Sequence, residues 1–485
     1  MIFEMPIFSV ATPEIFVLCM TCVILLVDVF IPERLRRVTY LLVQATLLIA
    51  FFLAYTQYNE YPAPIITFNG HYVLDKLAVL TKIFVLITTF FAFIYARQYI
   101  KEREISREYY VIGLFAVLGM LVMASAYSFL SIFLGLELLS ISLYAMVALQ
   151  KDSNVAAEAS MKYFVMGAMA AGLILYGITL IYGVTGRIQM LEVASLLQGA
   201  THGEQAVVIV GLVFILSGVI FKFGAVPFHM WVPDVYQGAP TSVTLFIACA
   251  PKIAAFAILM RILVEALPSA TVEWQQILVV ISVLSMFAGN LLAIAQTNIK
   301  RMLAYSSIAH IGYMLLGVIA GPNSANGYSA GMFYIVTYVI VAAGAFAVIA
   351  LLSKNGIELD KVEDYRGLNA RNPWLAFIML IFMFSMAGVP PAVGFFAKLG
   401  LLEALMQAQY VWLAAFALIF SIIGAYYYLR IVMFMYFEEP LENLRGSKIS
   451  LSAGPWVAIS VNGLAALGLG LLPSAFIDVC RLSVA

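Results

Sequence analysis

Apolar runs of about 20 residues recur along this 485-residue chain, and each is long enough to cross a bilayer as one helix. The runs are continuous rather than alternating, which excludes a membrane β-barrel. Only 11% of the residues are charged, whereas a soluble domain carries roughly 25%. The sequence therefore predicts an all-α polytopic membrane protein.

Two of the predicted spans, residues 205–236 and 373–407, are too long for a simple crossing. The first contains Gly224 and Pro227, and the second contains Gly388, Pro390, Pro391 and Gly394. A proline inside a helix removes a backbone hydrogen bond and clashes with the preceding turn. We therefore expect both to be discontinuous helices, which occur in lipid only where protein or water satisfies the freed backbone. About 14 spans are predicted in all, at residues 12–31, 38–57, 76–97, 108–125, 127–149, 158–183, 205–236, 241–265, 273–296, 302–320, 326–353, 373–407, 411–436 and 452–472.

The two broken spans are the seventh and the twelfth, so spans 4–8 and 9–13 form two predicted repeats of five helices. An odd number of spans per repeat makes the second repeat inverted in the membrane, an arrangement typical of transporters with a site near the midplane. The predicted domains are residues 1–107 (helices 1–3), 108–265 (first repeat), 266–436 (second repeat) and 437–485 (helix 14).

Basic residues are distributed unequally between the two sets of loops. Loops after even-numbered spans and the chain ends carry four: Lys76, Arg187, Arg261 and Arg481. By the positive-inside rule the odd-numbered loops are cytoplasmic, and both termini are predicted to be periplasmic. The odd-numbered loops carry sixteen: Arg34, Arg36, Arg37, Arg97, Lys101, Arg103, Arg107, Lys151, Lys300, Arg301, Lys354, Lys361, Arg366, Arg371, Arg445 and Lys448.

No cofactor-binding or metal-binding pattern is apparent. Cys19 and Cys22 form one Cys-x-x-Cys pair in the first apolar run, but iron–sulfur clusters and structural zinc normally need four ligands. The chain has no phosphate-binding Walker loop and no strand-linked dinucleotide fingerprint. We expect it to bind no cofactor and no metal, and to carry no redox chemistry itself.

Four buried charges are the main candidates for moving protons. Glu137 lies in the middle of the fifth span, with Ser140 and Tyr144 on the same helical face. Lys222 directly precedes the first break, at the end of a half-helix where the dipole favours a cation. Lys252 and Lys398 lie in the eighth span and after the second break. Acids and bases inside membranes are usually functional, although a structural ion pair is the alternative.

Four further residues are predicted to support a proton path, each with a simpler alternative. Lys162 follows Glu158 by four residues, which also predicts an ordinary pair on a helix surface. His229 and His310 could relay protons near neutral pH, or could be core histidines. Asp234 is expected at the cytoplasmic mouth, where pairing with a loop is as plausible as gating.

Two remaining basic residues are expected to be structural. Lys82 has Asp75 one turn before it and lies near a membrane surface. Arg430 is expected to extend to the cytoplasmic edge of its span.

Three long motifs carry a resemblance to a known family. They read PFHMWVPDVYQGAPTSV, LLAIAQTNIKRMLAYSSIAHIGYMLLG and MAGVPPAVGFFAKLGLLEA. Over about residues 75 to 475 the chain resembles the antiporter-like subunits of respiratory complex I, the proton-pumping NADH:quinone oxidoreductase. Subunits L and M and the Mrp cation/proton antiporters share that fold, and the run from Asp234 to Pro240 is more like subunit N.

The resemblance implies a 14-helix subunit of the membrane arm that couples electron transfer from NADH to quinone to proton pumping. Glu137, Lys222, Lys252 and Lys398 match its proton-channel positions, and Lys162, His229 and His310 match supporting ones. NADH, FMN, iron–sulfur clusters and quinone are expected in other subunits. The implied partners are other complex I subunits, especially subunit M and the small subunit K, with the bilayer and no nucleic acid.

The expected mechanism passes a proton from Lys222 through Lys252 to Lys398 after Glu137 moves or changes its pairing, with release on the outer side. A bacterial inner membrane is the expected location, because no transit peptide is present and the first apolar run is too long for a cleaved signal. Two rival hypotheses stay open. One is an Mrp-type sodium or potassium/proton antiporter subunit, and the other is a membrane scaffold without an ion path.

Overall fold

α-Helices make up most of the structure, a computed structural model that describes residues 5–32, 36–61, 63–353, 358–442 and 452–483. Arg34, Lys354, Arg445 and Lys448 of the basic set lie outside these residues. The helices are α1 Thr12–Phe30, α2 Arg36–Glu60, α3 Lys76–Glu102, α4 Glu108–Ser125, α5 Phe129–Val147, α6 Asn154–Thr185, α7 Met190–Leu197, α8 His202–Phe223, α9 Trp231–Gly238, α10 Thr241–Ala248, α11 Ala250–Met260, α12 Thr271–Ile294, α13 Ile299–Ala320, α14 Gly327–Leu352, α15 Leu368–Arg371, α16 Pro373–Ala387, α17 Val393–Gln407, α18 Val411–Phe437, α19 Ala453–Leu471 and α20 Pro473–Ser483.

Within the described residues, 13 helices are long and apolar enough to cross a membrane. The remaining predicted span, 373–407, consists of the two shorter helices α16 and α17, and α16 has 15 residues. At 1.5 Å per residue α16 is about 22 Å long, which is less than the hydrocarbon core of about 30 Å. The predicted all-α fold with a discontinuous twelfth span is confirmed.

Both predicted breaks occur at the predicted glycines. Gly224 follows α8 with φ of 75°, and Gly388 follows α16 with φ of 86°. A side chain strains this left-handed backbone, so glycine ends each half-helix without penalty. A cis peptide bond to proline follows in each break, at Val226–Pro227 and at Pro390–Pro391.

The eighth span is interrupted where the sequence predicts one continuous helix. α10 ends at Ala248, Cys249 has non-helical backbone angles, and α11 begins at Ala250. Pro251, which cannot donate a backbone hydrogen bond, lies just inside the new helix and was the available signal. The span then ends in a π-helix, Arg261–Ala266.

One compact unit comprises Met1–Phe90, Ser106–Phe223 and Ala250–Ile277. It includes a small hairpin in which β1, Ile65–Thr67, pairs antiparallel with β2, Tyr72–Leu74. Its helices pack closely through glycines, as membrane helices commonly do. A Cβ at Gly177 of α6 would lie 2.5 Å from the Gly211 carbonyl oxygen of α8.

The same unit corrects the predicted pairing of Lys82. Lys82 is fully buried, and its Nζ lies 2.6 Å from Oε1 of Glu14 in α1 rather than on Asp75. Asp75 instead accepts a hydrogen bond of 2.6 Å from Arg261. The sequence placed Asp75 at helical spacing from Lys82, but Asp75 precedes α3 and accepts from the Ala78 amide at its first turn.

The second compact unit comprises Phe91–Ile105, Gly224–Cys249 and Leu278–Ala485. Helices α13 and α14 are buried over almost their whole length within it. Arg430 of α18 donates to the carbonyls of Ile294 and Gln296, so it caps the end of α12, and its extension to the cytoplasmic edge stays a prediction. The boundary after Phe223 coincides with the first break, and the four-part division by repeats stays a prediction.

Candidate proton-transfer sites

The first site is built on the end of α8. Lys222 occupies the last turn of this helix, where the C-terminal end of the helix dipole favours a cation. Its Nζ donates a hydrogen bond of 2.6 Å to the Ser140 hydroxyl of α5. That hydroxyl donates in turn to the Leu136 carbonyl, one turn back in α5. Ser140 therefore fixes where the lysine ammonium lies.

Glu137 lies one turn before Ser140 on α5 and interacts electrostatically with the Lys222 ammonium. Tyr144 continues the same face, and its phenol interacts with Glu137 and Ser140. The phenol rests against Gly167 of α6, where a Cβ would lie 1.8 Å from its oxygen. The structure thus assembles the predicted face of α5 beside the predicted lysine.

Ser140→Ala is expected to lower NADH-driven proton pumping by roughly tenfold, since a hydrogen bond to a charged group contributes about 1.5–3 kcal/mol. The measurement is the initial pumping rate of membrane vesicles that contain the assembled complex. Ser142→Ala is a matched control. Ser142 lies two residues further along α5 and also donates to a carbonyl one turn back, that of Leu138. Equal rates in the two variants would contradict the role given to Ser140.

Lys252 is the third residue of α11 and is 3% exposed. All residues of α10 and α11 are buried, so this lysine does not extend to a membrane surface. The interruption at Cys249 places it within the first turn of a new helix. This backbone feature was absent from the sequence prediction.

The second site is built on the break between α16 and α17. Lys398 lies on α17, and its Nζ donates to the carbonyls of Met386 and Ala387 at 3.0 and 2.9 Å. These are the last carbonyls of α16, which have no partner within their own helix. The Ser421 hydroxyl of α18 accepts a third hydrogen bond of 2.8 Å.

Lys222 and Lys398 therefore occupy chemically similar positions in their own units. Lys222 stands on the half-helix before its break. Lys398 stands on the half-helix after its break and returns its ammonium to the preceding one. In both, a lysine ammonium lies at the C-terminal end of a half-helix, where the dipole stabilises positive charge.

His310 of α13 lies among tyrosines in the second unit. Its Nδ1 is 2.7 Å from the Tyr334 hydroxyl, and its Nε2 is 3.0 Å from the Tyr428 hydroxyl. The Tyr427 hydroxyl donates to the Tyr428 hydroxyl at 3.2 Å and to Oδ1 of Asn290 at 3.1 Å. Sequence reasoning missed these partners. Their signal was tyrosine inside apolar spans, since a buried hydroxyl usually has a hydrogen-bond partner.

A small cavity of about 20 Å³ is lined by both His310 and Lys398, with Tyr334, Tyr338 and Ser385 among its other polar walls. This is enough space for about one water, which needs roughly 10–15 Å³ and two to four polar partners. A larger cavity of about 210 Å³ is also lined by Lys398, and its walls are mainly apolar.

The remaining predicted residues lie outside these two clusters. Lys162 pairs with Glu158 at 2.8 Å, and its side chain is 42% exposed. His229 is half-buried in the turn between α8 and α9. Asp234 of α9 accepts a hydrogen bond of 2.7 Å from Arg301, so it is paired as the sequence left open, but its partner lies in the first turn of α13 rather than in a loop. Their parts in a proton path stay predictions.

Comparison with known proteins identifies the family to which the chain belongs. Residues 126–424 match the family model described as "NADH:quinone oxidoreductase/Mrp antiporter, TM". NADH-quinone oxidoreductase subunit N of Thioalkalivibrio sulfidiphilus is 51% identical over 99% of this chain and 98% of its own length. The chain belongs to the NADH-quinone oxidoreductase subunit N family. The corresponding subunit of Coxiella burnetii is 50% identical over 97% of each chain.

Chains of known membrane complexes share this fold. A chain of respiratory complex I from Thermus thermophilus aligns with a TM-score of 0.81 and 32% identity, over 96% of this chain and 98% of that one. A chain of the Mrp complex from Dietzia aligns with a TM-score of 0.86 over 99% and 97% of the two chains. The sequence identity between these two chains is 22%, so this similarity supports the fold alone.

Family membership confirms the function predicted from the sequence. The chain is an antiporter-like, proton-translocating membrane subunit of NADH:quinone oxidoreductase, and its partners are other subunits of complex I. It is a multi-pass membrane protein. Across the described residues, no group of three or more His, Cys, Asp or Glu side chains is placed to hold a metal.

Proposed function

We propose that Lys222, Lys252 and Lys398 carry the protons that this subunit moves, and that Glu137 controls the proton on Lys222. The support is that each is a titratable group inside an apolar span, where such groups are usually functional. Electron transfer in other subunits supplies the driving force, and NADH, FMN, iron–sulfur clusters and quinone are held there. The only chemical steps proposed for this chain are the binding and release of protons at lysine nitrogens.

At the first site, Lys222 exchanges a proton when the charge near it changes. The ammonium form is stabilised by the Ser140 oxygen, by the end of α8 and by Glu137. Movement of Glu137 away from the lysine removes an attraction that is strong at low dielectric. The neutral amine form then becomes accessible, and the proton leaves through the break that follows α8.

At the second site, Lys398 is held by two carbonyls and one hydroxyl, all of which accept hydrogen bonds from an ammonium. A water in the cavity that it shares with His310 would give a route for the proton between the two side chains. His310 can donate from one ring nitrogen and accept at the other, since its two hydroxyl partners can take either role.

Protons are the cargo favoured by the chemistry of these sites. Hard cations such as Na⁺ prefer several oxygen ligands including carboxylates. Both sites instead present a lysine ammonium, which repels a metal ion. The Mrp-like fold does not change this, because a fold is compatible with different cargoes.

The complex lies in the bacterial inner membrane, with both termini on the periplasmic side and with subunits M and K as neighbours. The support for this orientation is the unequal distribution of basic residues, sixteen against four, between the two sets of loops predicted from the sequence. Lys162, His229, His310 and Asp234 are supporting groups of the path.

Lys398→Arg tests the proton-carrying role directly. Arginine keeps the positive charge but does not release its proton in proteins, whereas lysine does. We expect pumping by vesicles containing the complex to fall by roughly tenfold or more, since a positioned proton-transfer group contributes about 10²–10⁴-fold. The control is Lys151→Arg in an exposed turn. Unchanged pumping by Lys398→Arg would contradict a proton-carrying Lys398 and leave only a structural cation.

A further inference from the structure

A carboxylate in the loop after α14 contacts three other elements of the second unit. Glu358 Oε1 accepts hydrogen bonds from the Tyr99 hydroxyl of α3 and from the Thr241 hydroxyl of α10, the latter at 3.1 Å. Its Oε2 accepts from Lys300 of α13 at 3.3 Å. Nη1 of Arg103 lies 3.9 Å from Oε1 of Glu358. The family resemblance singled out none of these contacts.

Lys300 needs this carboxylate for an electrostatic reason. The sequence placed Lys300 in a loop, but it is the second residue of α13 and its side chain is 1% exposed. A helix N-terminus carries partial positive charge, so a buried cation there is disfavoured. Glu358 supplies the opposite charge, and the Ala239 carbonyl accepts a second hydrogen bond of 3.0 Å from the ammonium.

The partners of Glu358 also satisfy the free backbone groups between α9 and α10. The Ala239 carbonyl follows the end of α9 and accepts from Lys300. The Thr241 amide begins α10 and donates to the Tyr99 hydroxyl at 3.1 Å. Unpaired backbone groups at helix ends are costly when buried. Lys300 and Tyr99 pair these two groups, and both side chains donate hydrogen bonds to Glu358.

Glu358 is ionised at neutral pH in this setting. Burial raises the pKa of its carboxyl, but the Lys300 ammonium, the Tyr99 hydroxyl and Arg103 outweigh burial and hold the pKa below its ordinary value. Tyr365 also faces the carboxylate. A lowered pKa means that the charge is fully present above the ordinary carboxyl pKa and is lost only as the pH falls through the lowered value.

We propose that Glu358 is a positioning residue for proton translocation, whose charge docks the α9–α10 link onto the start of α13. This inference rests on the proton-carrying function proposed above. Along the chain, the link joins the break that follows Lys222 to the span that carries Lys252. Loss of the Glu358 charge leaves the Lys300 ammonium on one neutral carbonyl and loosens the link.

The test compares Glu358→Gln with Glu363→Gln in the intact purified complex. Glu363 lies in the same region, is 63% exposed and pairs only weakly with Arg366, at 3.8 Å. Glu358→Gln is expected to slow proton pumping about fivefold, within the range of ordinary coupling between sites. It is also expected to speed amide exchange at Ala239 and at residues 241–244 about tenfold, the effect of losing one charge-assisted hydrogen bond. Glu358→Asp, which keeps the charge, is expected to recover at least about half of the pumping.

Either of two results would overturn this inference. One is amide exchange in Glu358→Gln equal to that of Glu363→Gln. The other concerns pumping. Either Glu358→Gln pumps at the wild-type rate, or Glu358→Asp fails to recover the pumping that Glu358→Gln loses. These outcomes are separable from a failure of the lysine proposal, which would appear as normal pumping by Lys398→Arg.

Discussion

Lys222→Ala is expected to lower NADH-driven proton pumping by at least roughly tenfold, because a positioned proton-transfer group contributes about 10²–10⁴-fold. The substitution removes the ammonium that Ser140 holds at the end of α8 and that Glu137 acts on. Alanine has no exchangeable proton, so the first site would have no carrier. The initial rate of pumping in membrane vesicles, divided by the amount of assembled complex, measures the effect.

Lys151→Ala is the control for this substitution. Lys151 lies in an exposed turn after α5, so its removal also deletes one lysine from the chain without changing a buried site. We expect this variant to pump at the wild-type rate. A Lys222→Ala complex that assembles normally and pumps like Lys151→Ala would remove Lys222 from the path.

Gly470→Ala is expected to destabilise the second break strongly. A Cβ at Gly470 of α19 would lie 2.0 Å from the Pro391 carbonyl oxygen and 2.7 Å from the Val393 amide nitrogen. These are backbone atoms that cannot rotate away, so either α19 or the break must shift, at a cost of about 1–3 kcal/mol or more. The same break presents the Met386 and Ala387 carbonyls to Lys398. We therefore expect both a lower melting temperature and slower pumping.

Gly468→Ala provides a control on the same helix. No atom lies within 4 Å of a Cβ placed at Gly468. Alanine favours a helix over glycine by about 0.8–1.0 kcal/mol, so this variant is expected to be as stable as the wild type or slightly more so. Thermal unfolding of the purified complexes compares the two. Equal melting temperatures would show that α19 does not pack on the break as described.

Sequence patterns predicted the membrane fold because each part of the pattern has one physical meaning. Continuous apolar runs predict spanning helices, and 13 such helices are present in the described residues, with the twelfth predicted span divided as expected. Gly224 and Gly388 located both breaks because only glycine adopts their left-handed backbone without strain. The interruption at Cys249 was missed because a proline just after a helix start is compatible with either reading.

Side-chain partners were predicted only where they share a helix with the residue concerned. Ser140 and Tyr144 follow from Glu137 by helical spacing, and Glu158 follows from Lys162 in the same way. Glu14 with Lys82 and Glu358 with Lys300 are 68 and 58 residues apart in sequence, and no local pattern indicates such pairs. Tyr428 beside His310 was missed for the same reason.

If protons pass through lysines of this chain, the number of protons pumped per NADH oxidised depends on those lysines. The measurement uses proteoliposomes of the purified complex, with the wild type and the Lys222→Ala/Lys398→Ala double variant at equal complex content. We expect fewer protons per NADH in the double variant, because both lysine carriers are absent. An unchanged ratio, at an unchanged rate of NADH oxidation, would contradict proton passage through these lysines.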